Sequence, residues 1–275
     1  MKKVVLVGAG GKMGCRITDN LKDSDYEMYY LEVSEEGRKR LAEKGVTVSD
    51  QDEVLPLGDI IILAVPDVAI EKVSSITVPA MKSGALLITL DPAAALAGKI
   101  FQRDDISIYI SHPAHPSVFN WEPSEKAQRD FFGGVLAKQV TVSALMQGPQ
   151  EDYGIGDELT CKMYAPVVKN YRITVEQMGL LEPALVETLC STLQVIVREA
   201  LDIVIEKGVP AEAAKQFLLG HLNIQLAVIY DQLPGAVFSD AANKAIERGK
   251  PLLIKENWRD VFEADNVMEQ IRDIT

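Results

Sequence analysis

The stretch ISHPAHPSVF, Ile110 to Phe119, sets His112 and His115 three residues apart, each followed by a proline, just where the apolar run ISIYI ends. An imidazole gives or takes a proton near neutral pH, which is what removal of hydride from an alcohol carbon asks of a neighbouring group. Pro113 and Pro116 restrict the backbone and hold both rings in place. The bland alternative, a hydrogen-bonded histidine in a proline loop, fits one such residue better than two together. Further along, EQMGLLEPALVET puts Glu182 directly before Pro183, which frees a backbone carbonyl and bends the helix. A carboxylate among apolar neighbours either faces a polar pocket or has a disturbed ionisation, and the pocket is the favoured reading. His221 and Asn223 interrupt the apolar helix LLGHLNIQLAVIYDQ, and buried polar groups need partners. His112, His115, Glu182, His221 and Asn223 are therefore the candidate catalytic residues. Two histidines and a carboxylate suit zinc or a similar divalent ion; neutral imidazoles bonded directly to a substrate serve as well, and the residues leave the metal open.

A second signal lies at the start of the chain. VVLVGAGGKMG is an apolar run followed by glycines at 8, 10, 11 and 14. Such a loop lets the backbone turn tightly and approach a pyrophosphate, whose charge the amides of the following helix stabilise. Position 13 is methionine, so the spacing departs from G-x-G-x-x-G and fits the one-residue-longer forms. Gly8, Gly10, Gly11, Lys12, Met13 and Gly14 make up the candidate cradle. Glu32 ends the next apolar run, where a carboxylate accepts hydrogen bonds from ribose hydroxyls and repels a 2′-phosphate. That favours NAD over NADP, with Ser34, Arg38 and Lys39 leaving room for the phosphorylated form. Val65 and Pro66, in ILAVPD, end the fourth strand at the crevice where a dinucleotide lies.

These groups need a scaffold, and the first half of the chain supplies an alternation of apolar runs and helical patterns that predicts a parallel sheet covered on both faces. Strands are expected at 3–8, 27–33, 46–49, 59–65, 85–91, 106–111 and 138–145, with helices at about 12–22, 35–44 and 68–75. After 147–157 long helical patterns take over. TVEQ at 174–177 is a capping box, opening a helix expected to run to Lys207–Gly208; a second follows from Pro210 to about Asp231. In the first of these, Leu185, Leu189, Leu193, Val197, Ala200 and Val204 line one face, while Val186, Val195, Ile196 and Ile203 lie round the side. A helix apolar on more than one face is buried on more than one face. The expected organisation is a dinucleotide-binding domain over 1–150 and a helical substrate and dimerisation domain over 151–275, acting as a homodimer.

Composition narrows the function classes. The chain has 275 residues, 47% hydrophobic and 25% charged, which is globular composition. A formal net charge of −12 disfavours nucleic acid and anionic membrane surfaces as partners. Cys15, Cys161 and Cys190 are scattered without metal-ligand spacing and read as reduced cysteines of a cytoplasmic protein. The apolar run after the opening MKK is broken by glycines too early for a signal peptide.

With these residues in place, the amino-terminal half resembles the β-hydroxyacid dehydrogenase and 6-phosphogluconate dehydrogenase superfamily, which joins a Rossmann-like domain to a dimerising helical one. GAGGKMG, SHPAHPSVF, ITVEQMGLLEPALVET and GHLNIQLAV are more specifically similar to the D-apionate oxidoisomerase family, over nearly the whole chain. One departure stands out: the superfamily's catalytic lysine has an asparagine four residues on, whereas Lys162 is followed at that spacing by Pro166, and the adjacent Lys169–Asn170 do not share a helical face. The resemblance implies NAD-dependent oxidation of a branched sugar acid at its 2-hydroxyl carbon, then migration of a hydroxymethyl group to give a 3-oxo acid. Two rivals remain: a simple dehydrogenase or reductase of another small hydroxy or oxo acid, and a non-catalytic NAD-sensing protein.

Overall fold

The structure, a computed structural model, describes residues 1–275. Its frame is a seven-stranded sheet in the order β2-β1-β3-β4-β5-β6-β7, formed by β1 (Lys3–Val7), β2 (Glu27–Leu31), β3 (Ile60–Leu63), β4 (Leu86–Thr89), β5 (Ser107–Pro113), β6 (Gln139–Gln147) and β7 (Val167–Arg172). The first five strands pair in parallel; β6 runs antiparallel to β5, and β7 parallel to β6. All four residues of β3 and of β4 are buried, which is why these runs are continuously apolar: helices cover both faces of a parallel sheet. Alternate side chains feed two core clusters, Val5, Ile61, Leu87 and Ile108 in one and Val4, Leu6, Ile60, Ile62 and Tyr109 in the other. The chain steps outward from β1 to β2 and then back across to β3. The carboxyl ends of β1 and β3 thus flank the crevice that such a reversal opens.

Three expectations change. Residues 46–49 form no strand: Ser49 N–H reaches Tyr30 O (2.8 Å), but no ladder continues, and Val46 and Val48 pack on the core instead. Conversely, 167–172 is a strand that the apolar pattern does not reveal. As an edge strand exposing Val168, Lys169, Tyr171 and Arg172, it keeps charge outward, as edges do. Its pairing with β6 carries the sheet past residue 150. Contacts accordingly divide the chain into one compact unit of Met1–Glu182 with Met268–Thr275 and another of Pro183–Val267, so the division falls at 182/183 rather than near 150.

The first unit also accounts for the displaced lysine–asparagine pair. Lys162 is tied to Asp25 (2.7 Å) and Glu158 (2.9 Å) and lies over the Tyr26 ring, a surface clamp. Asn170 turns inward, donating from Nδ2 to Ser143 Oγ (2.7 Å) and Asp157 Oδ1 (2.7 Å), with Tyr109 Oη at 3.2 Å, and accepting from Thr141 Oγ1 (2.8 Å). The structure thus gives both residues structural work.

The chain beyond β7, which runs from the first unit into the second, is helical. Thr174 caps as expected, its hydroxyl accepting from Gln177 N and its own N–H donating to Gln177 Oε1. The helix from Val175 to Glu206 widens into a π segment at Leu180–Ser191, around Pro183, and continues as α-helix over Thr192–Glu206. Neither Thr192–Glu206 nor Asp240–Leu253 buries a residue, and Ala211–Ile229 buries only Ala214. By length and composition alone the 32-residue Val175–Glu206 helix is apolar enough to cross a membrane.

Replacing Asn170 with alanine takes this partner from Asp157 and Thr141, while Ser143 keeps Tyr153 Oη at 2.9 Å. Each unsatisfied buried polar group costs about 1–3 kcal/mol, so the urea midpoint should fall with the slope unchanged; an unmoved midpoint would show the network adds nothing to folding.

Candidate active site

Two groups of residues meet the carboxyl edge of the first unit's sheet. At β1, β2 and β3 the chain leaves a cleft of about 500 Å³ lined by Val7, Gly8, Gly11, Glu32, Val65 and Pro66 among others. Gly8 has φ +78°, a left-handed turn that glycine adopts without strain. Gly10 lies against Gly37 so closely that a Cβ on Gly10 would sit 2.4 Å from the Gly37 Cα. The helix Lys12–Leu21 starts directly after this turn with no acidic residue in its first turn, so its free amides face an anion unopposed. Glu32 accepts from Gly10 N–H (2.9 Å) through Oε2 and from Ser34 N–H (2.8 Å) and Oγ (2.9 Å) through Oε1. Burial pushes its carboxyl pKa up, but these donors outweigh burial and hold it below the usual range. The glycine turn, which has no room for a Cβ against Ala64 and Gly37, and the fixed carboxylate at the cleft's rim fit a dinucleotide.

At β4 and β5 the arrangement is acid, imidazole, acid. His112 Nδ1 lies 2.9 Å from the Leu90 carbonyl oxygen; a carbonyl only accepts, so Nδ1 carries hydrogen and Nε2 is turned the other way. Nε2 is 3.3 Å from Glu182 Oε2, and Nδ1 is 3.5 Å from Asp91 Oδ2. Ala93 N–H holds the other Asp91 oxygen, Oδ1, at 2.8 Å. Burial works against a charged imidazole here, but the hydrogen bond and charge of Glu182, the charge of Asp91 and the Leu90 carbonyl prevail and raise the His112 pKa to about 9. Burial raises Asp91, against the pull of His112; for Glu182 burial pushes up as well, but His112 brings it below the ordinary value.

Not every candidate joins these groups. His115 is exposed, its ring centroid 6.5 Å from that of His112. Its backbone is left-handed at φ 61°, and its Nδ1–H donates to Phe132 O (2.9 Å). Phe132 in turn carries the Lys12 ammonium 3.6 Å above its ring, so Lys12 faces that ring and is not among the residues lining the cleft. Met13 packs into the core instead of lining the cleft. His221 and Asn223 belong to the second unit and, contrary to the burial expected of them, are both exposed; His221 Nδ1–H donates to Phe217 O (2.8 Å) and the ring stacks on Phe217 at 4.1 Å.

Two residues escape a reading by motif. Asp91 follows β4, and the parallel register Thr89↔Ile110 sets it beside His112. An acidic residue closing a buried strand next to a strand that ends in histidine was the available signal. Gly37 looks like an ordinary helix glycine, yet a Cβ there would fall 2.4 Å from the Glu32 Cδ.

Residues 120–275 match the family model described as phosphogluconate dehydrogenase (decarboxylating) C-term, and residues 1–120 that of acetohydroxy acid isomeroreductase, NADPH-binding domain. The D-apionate oxidoisomerase of Cupriavidus necator is 48% identical over 275 residues, covering 100% of this chain and 99% of that protein. The D-apionate oxidoisomerase of Blautia hydrogenotrophica is 37% identical over 98% of this chain and 96% of its own. The chain belongs to the D-apionate oxidoisomerase family. Its fold agrees with that of a solved structure from Cupriavidus necator, described as a semialdehyde dehydrogenase NAD-binding protein in complex with calcium and NAD, at TM-score 0.98 and 48% identity over 100% of both chains. An NADH-preferring ketol-acid reductoisomerase from an uncultured archean shares the fold at TM-score 0.69 and 17% identity, over 99% of this chain and 85% of its own. The departure at Lys162 is thus set within an oxidoisomerase family.

A histidine whose pKa is raised on folding stabilises the fold fully below its ordinary value of 6.5 and ceases to do so as pH rises through about 9. In metal-free protein the His112 ring should titrate near that upper value by NMR, and Glu182→Gln should move the midpoint down. A midpoint indifferent to Glu182 would show that the two side chains do not meet in solution.

Proposed function

We propose that this protein oxidises a branched sugar acid of the D-apionate type with NAD and rearranges the product to a 3-oxo acid. The observation that carries this reading is the Asp91–His112–Glu182 cluster on the same sheet edge as the glycine cradle, in a chain 48% identical to a D-apionate oxidoisomerase. The cradle, Glu32, Val65 and Pro66 would hold the dinucleotide, and bound NAD accepts the hydride of the carbon bearing the 2-hydroxyl. The proton of that hydroxyl goes to Glu182, so a hydride and a proton, two electrons and two protons in all, leave the substrate as a 2-oxo-3-hydroxy acid forms.

The second stage is an isomerisation without net redox change. The bond from C3 to a hydroxymethyl carbon breaks as that carbon, carrying the electron pair, bonds to C2. The 3-hydroxyl gives up its proton to become the 3-oxo group, and the former 2-oxo oxygen takes one up. Glu182, its first-stage proton passed on to water, receives the proton of the 3-hydroxyl and His112 supplies the other, a division that their opposite pKa displacements support. His115 borders this site from an exposed loop. His221, bonded to its own helix, is left without a proton-transfer role, and Asn223 is given none.

Glu32 supports NAD over NADP: a 2′-phosphate would face an ionised carboxylate. Glu32→Ser should weaken NAD binding and narrow the gap to NADP; a wild type that prefers NADP tenfold, about 1.4 kcal/mol, would refute the assignment of Glu32.

The second unit supports a homodimer. Val195, Ile203 and Phe217 are 56%, 52% and 70% exposed in one chain, and a helical layer that buries so little of itself needs another surface. A second copy is the reading favoured over a membrane, because Glu187, Arg198, Glu199 and Asp202 punctuate the helix and Arg198 pairs with Asp202 at 2.5 Å. Sedimentation should give about twice the 30.2 kDa chain mass, and Val195→Glu should dissociate or precipitate it. The three free cysteines support a cytoplasmic location.

The functional test is NADH formation from D-apionate, with the product identified by NMR. A 3-oxo acid with its hydroxymethyl group moved is expected, and Glu182→Gln should lower turnover about 100-fold while NAD binding persists. A 2-oxo acid as the only product would make the protein a simple dehydrogenase; no NADH from any sugar acid would favour the NAD sensor.

A further inference from the structure

The cluster at the ends of β4 and β5 contains two carboxylates for one imidazole, and their donor atoms converge. We propose that Asp91, His112 and Glu182 form a binding site for a divalent cation of the zinc or manganese class, with coordination positions left open to two oxygens of the sugar acid. The proposal rests on reading this cluster as the reacting site, and it adds a ligand to that site: with an ion bound, its charge would stand in for the proton on His112 and water would carry the protons.

Leu90 fixes the tautomer of the ring. Its carbonyl takes the Nδ1 hydrogen of His112 at 2.9 Å, so the neutral ring presents the Nε2 lone pair to Glu182 Oε2 at 3.3 Å. Two electron-rich atoms facing each other at that separation call for a cation, either a proton on the ring or a metal ion beside both. The spacing suits the metal: two donors each about 2.0–2.1 Å from a tetrahedral ion lie about 3.3–3.4 Å apart. One donor atom from each of Asp91, His112 and Glu182 lies within 4.8 Å of the other two. Asp91 is anchored through Oδ1 by Ala93 N–H, and Oδ2, which lies 3.5 Å from His112 Nδ1, is the oxygen that would turn toward an ion or a water on it.

The surroundings have the form of a ligating shell. A metal-bound histidine characteristically gives its second N–H to a carbonyl or carboxylate, which fixes tautomer and orientation; His112 does this with Leu90. The donor set narrows the ion. Calcium takes six to eight oxygens, whereas one imidazole with two carboxylates matches zinc or manganese. Three protein donors leave positions for substrate, and a 2-oxo-3-hydroxy acid offers vicinal oxygens to fill them. An ion there would polarise the carbonyl toward which the hydroxymethyl group moves.

The test uses the full chain stripped with chelator and titrated calorimetrically with Zn²⁺ and, separately, Mn²⁺, with Mn²⁺ paramagnetic resonance as a second readout. One ion per chain is expected, with affinity at least tenfold weaker in Asp91→Asn, His112→Asn and Glu182→Gln. NAD binding, followed by its fluorescence change, should stay intact in all three and so reports that they are folded. Absence of stoichiometric binding, or binding unchanged across the variants, would overturn the site. Should stripped protein rearrange D-apionate at the full rate, the cation is overturned and the oxidoisomerase reading stands. Stoichiometric ion binding that the variants weaken, without turnover of D-apionate, keeps the site and removes that reading.

Discussion

The geometry of the candidate site depends on one hydrogen bond, from His112 Nδ1–H to the Leu90 carbonyl. It selects the tautomer, aims Nε2 at Glu182, and leaves Asp91 beside the bonded edge of the ring. Without it the imidazole could spin and the two carboxylates would compete for whichever nitrogen faced them. A side-chain bond this consequential has to be held by the backbone on both sides, and here each side is a strand end in a parallel pair.

That requirement explains why β5 changes partner as it does. Along Ser107–Ile110 it pairs with β4; beyond the end of β4 its ladder continues on one side only, through Ser111, His112 and Pro113 against the antiparallel β6. The strand therefore carries His112 past its parallel neighbour without letting the backbone fray. Pro113 cannot donate a ladder bond, and at the strand's last position that omission does no damage. The left-handed turn at His115 then starts a loop tied down by the bond to Phe132. Proline stiffening, read from the sequence as a way to hold two rings, thus anchors one at the strand end and dismisses the other to the loop.

Much of this was legible because burial on both faces writes itself into sequence. The continuous apolar runs that became β3 and β4 and the glycine turn after β1 are strong local signals. Glu182 before Pro183 was legible too, since a missing amide in an apolar helix has to disturb it, and the π segment is where that happens. What could not be read was whatever depends on register or on an edge. Asp91 acquires meaning only when β4 and β5 are laid side by side, and β7 keeps its charges outward, hiding the alternation that marks a strand. Gly37 is a helix residue whose smallness serves Glu32 and Gly10, partners distant in sequence. His221 is the opposite case: its chemistry was visible, but a helix carbonyl four residues back satisfies it.

The lysine–asparagine departure draws these points together. A lysine at the substrate would supply a fixed positive charge and a proton donor. Lys162 spends its charge on Asp25 and Glu158, and Asn170 spends its amide on the polar network under β6. The positive charge needed beside a developing alkoxide must then come from elsewhere, and the cluster at His112 is where two carboxylates wait for one. A proton on His112 neutralises one of them; a divalent ion would neutralise both and would supply positions for two substrate oxygens. A reaction that moves a carbon between neighbouring carbons needs both oxygens held through the same transition state. Simple hydride transfer needs only one of them gripped, which is why a chain that has surrendered the lysine is better suited to rearrangement than to oxidation alone.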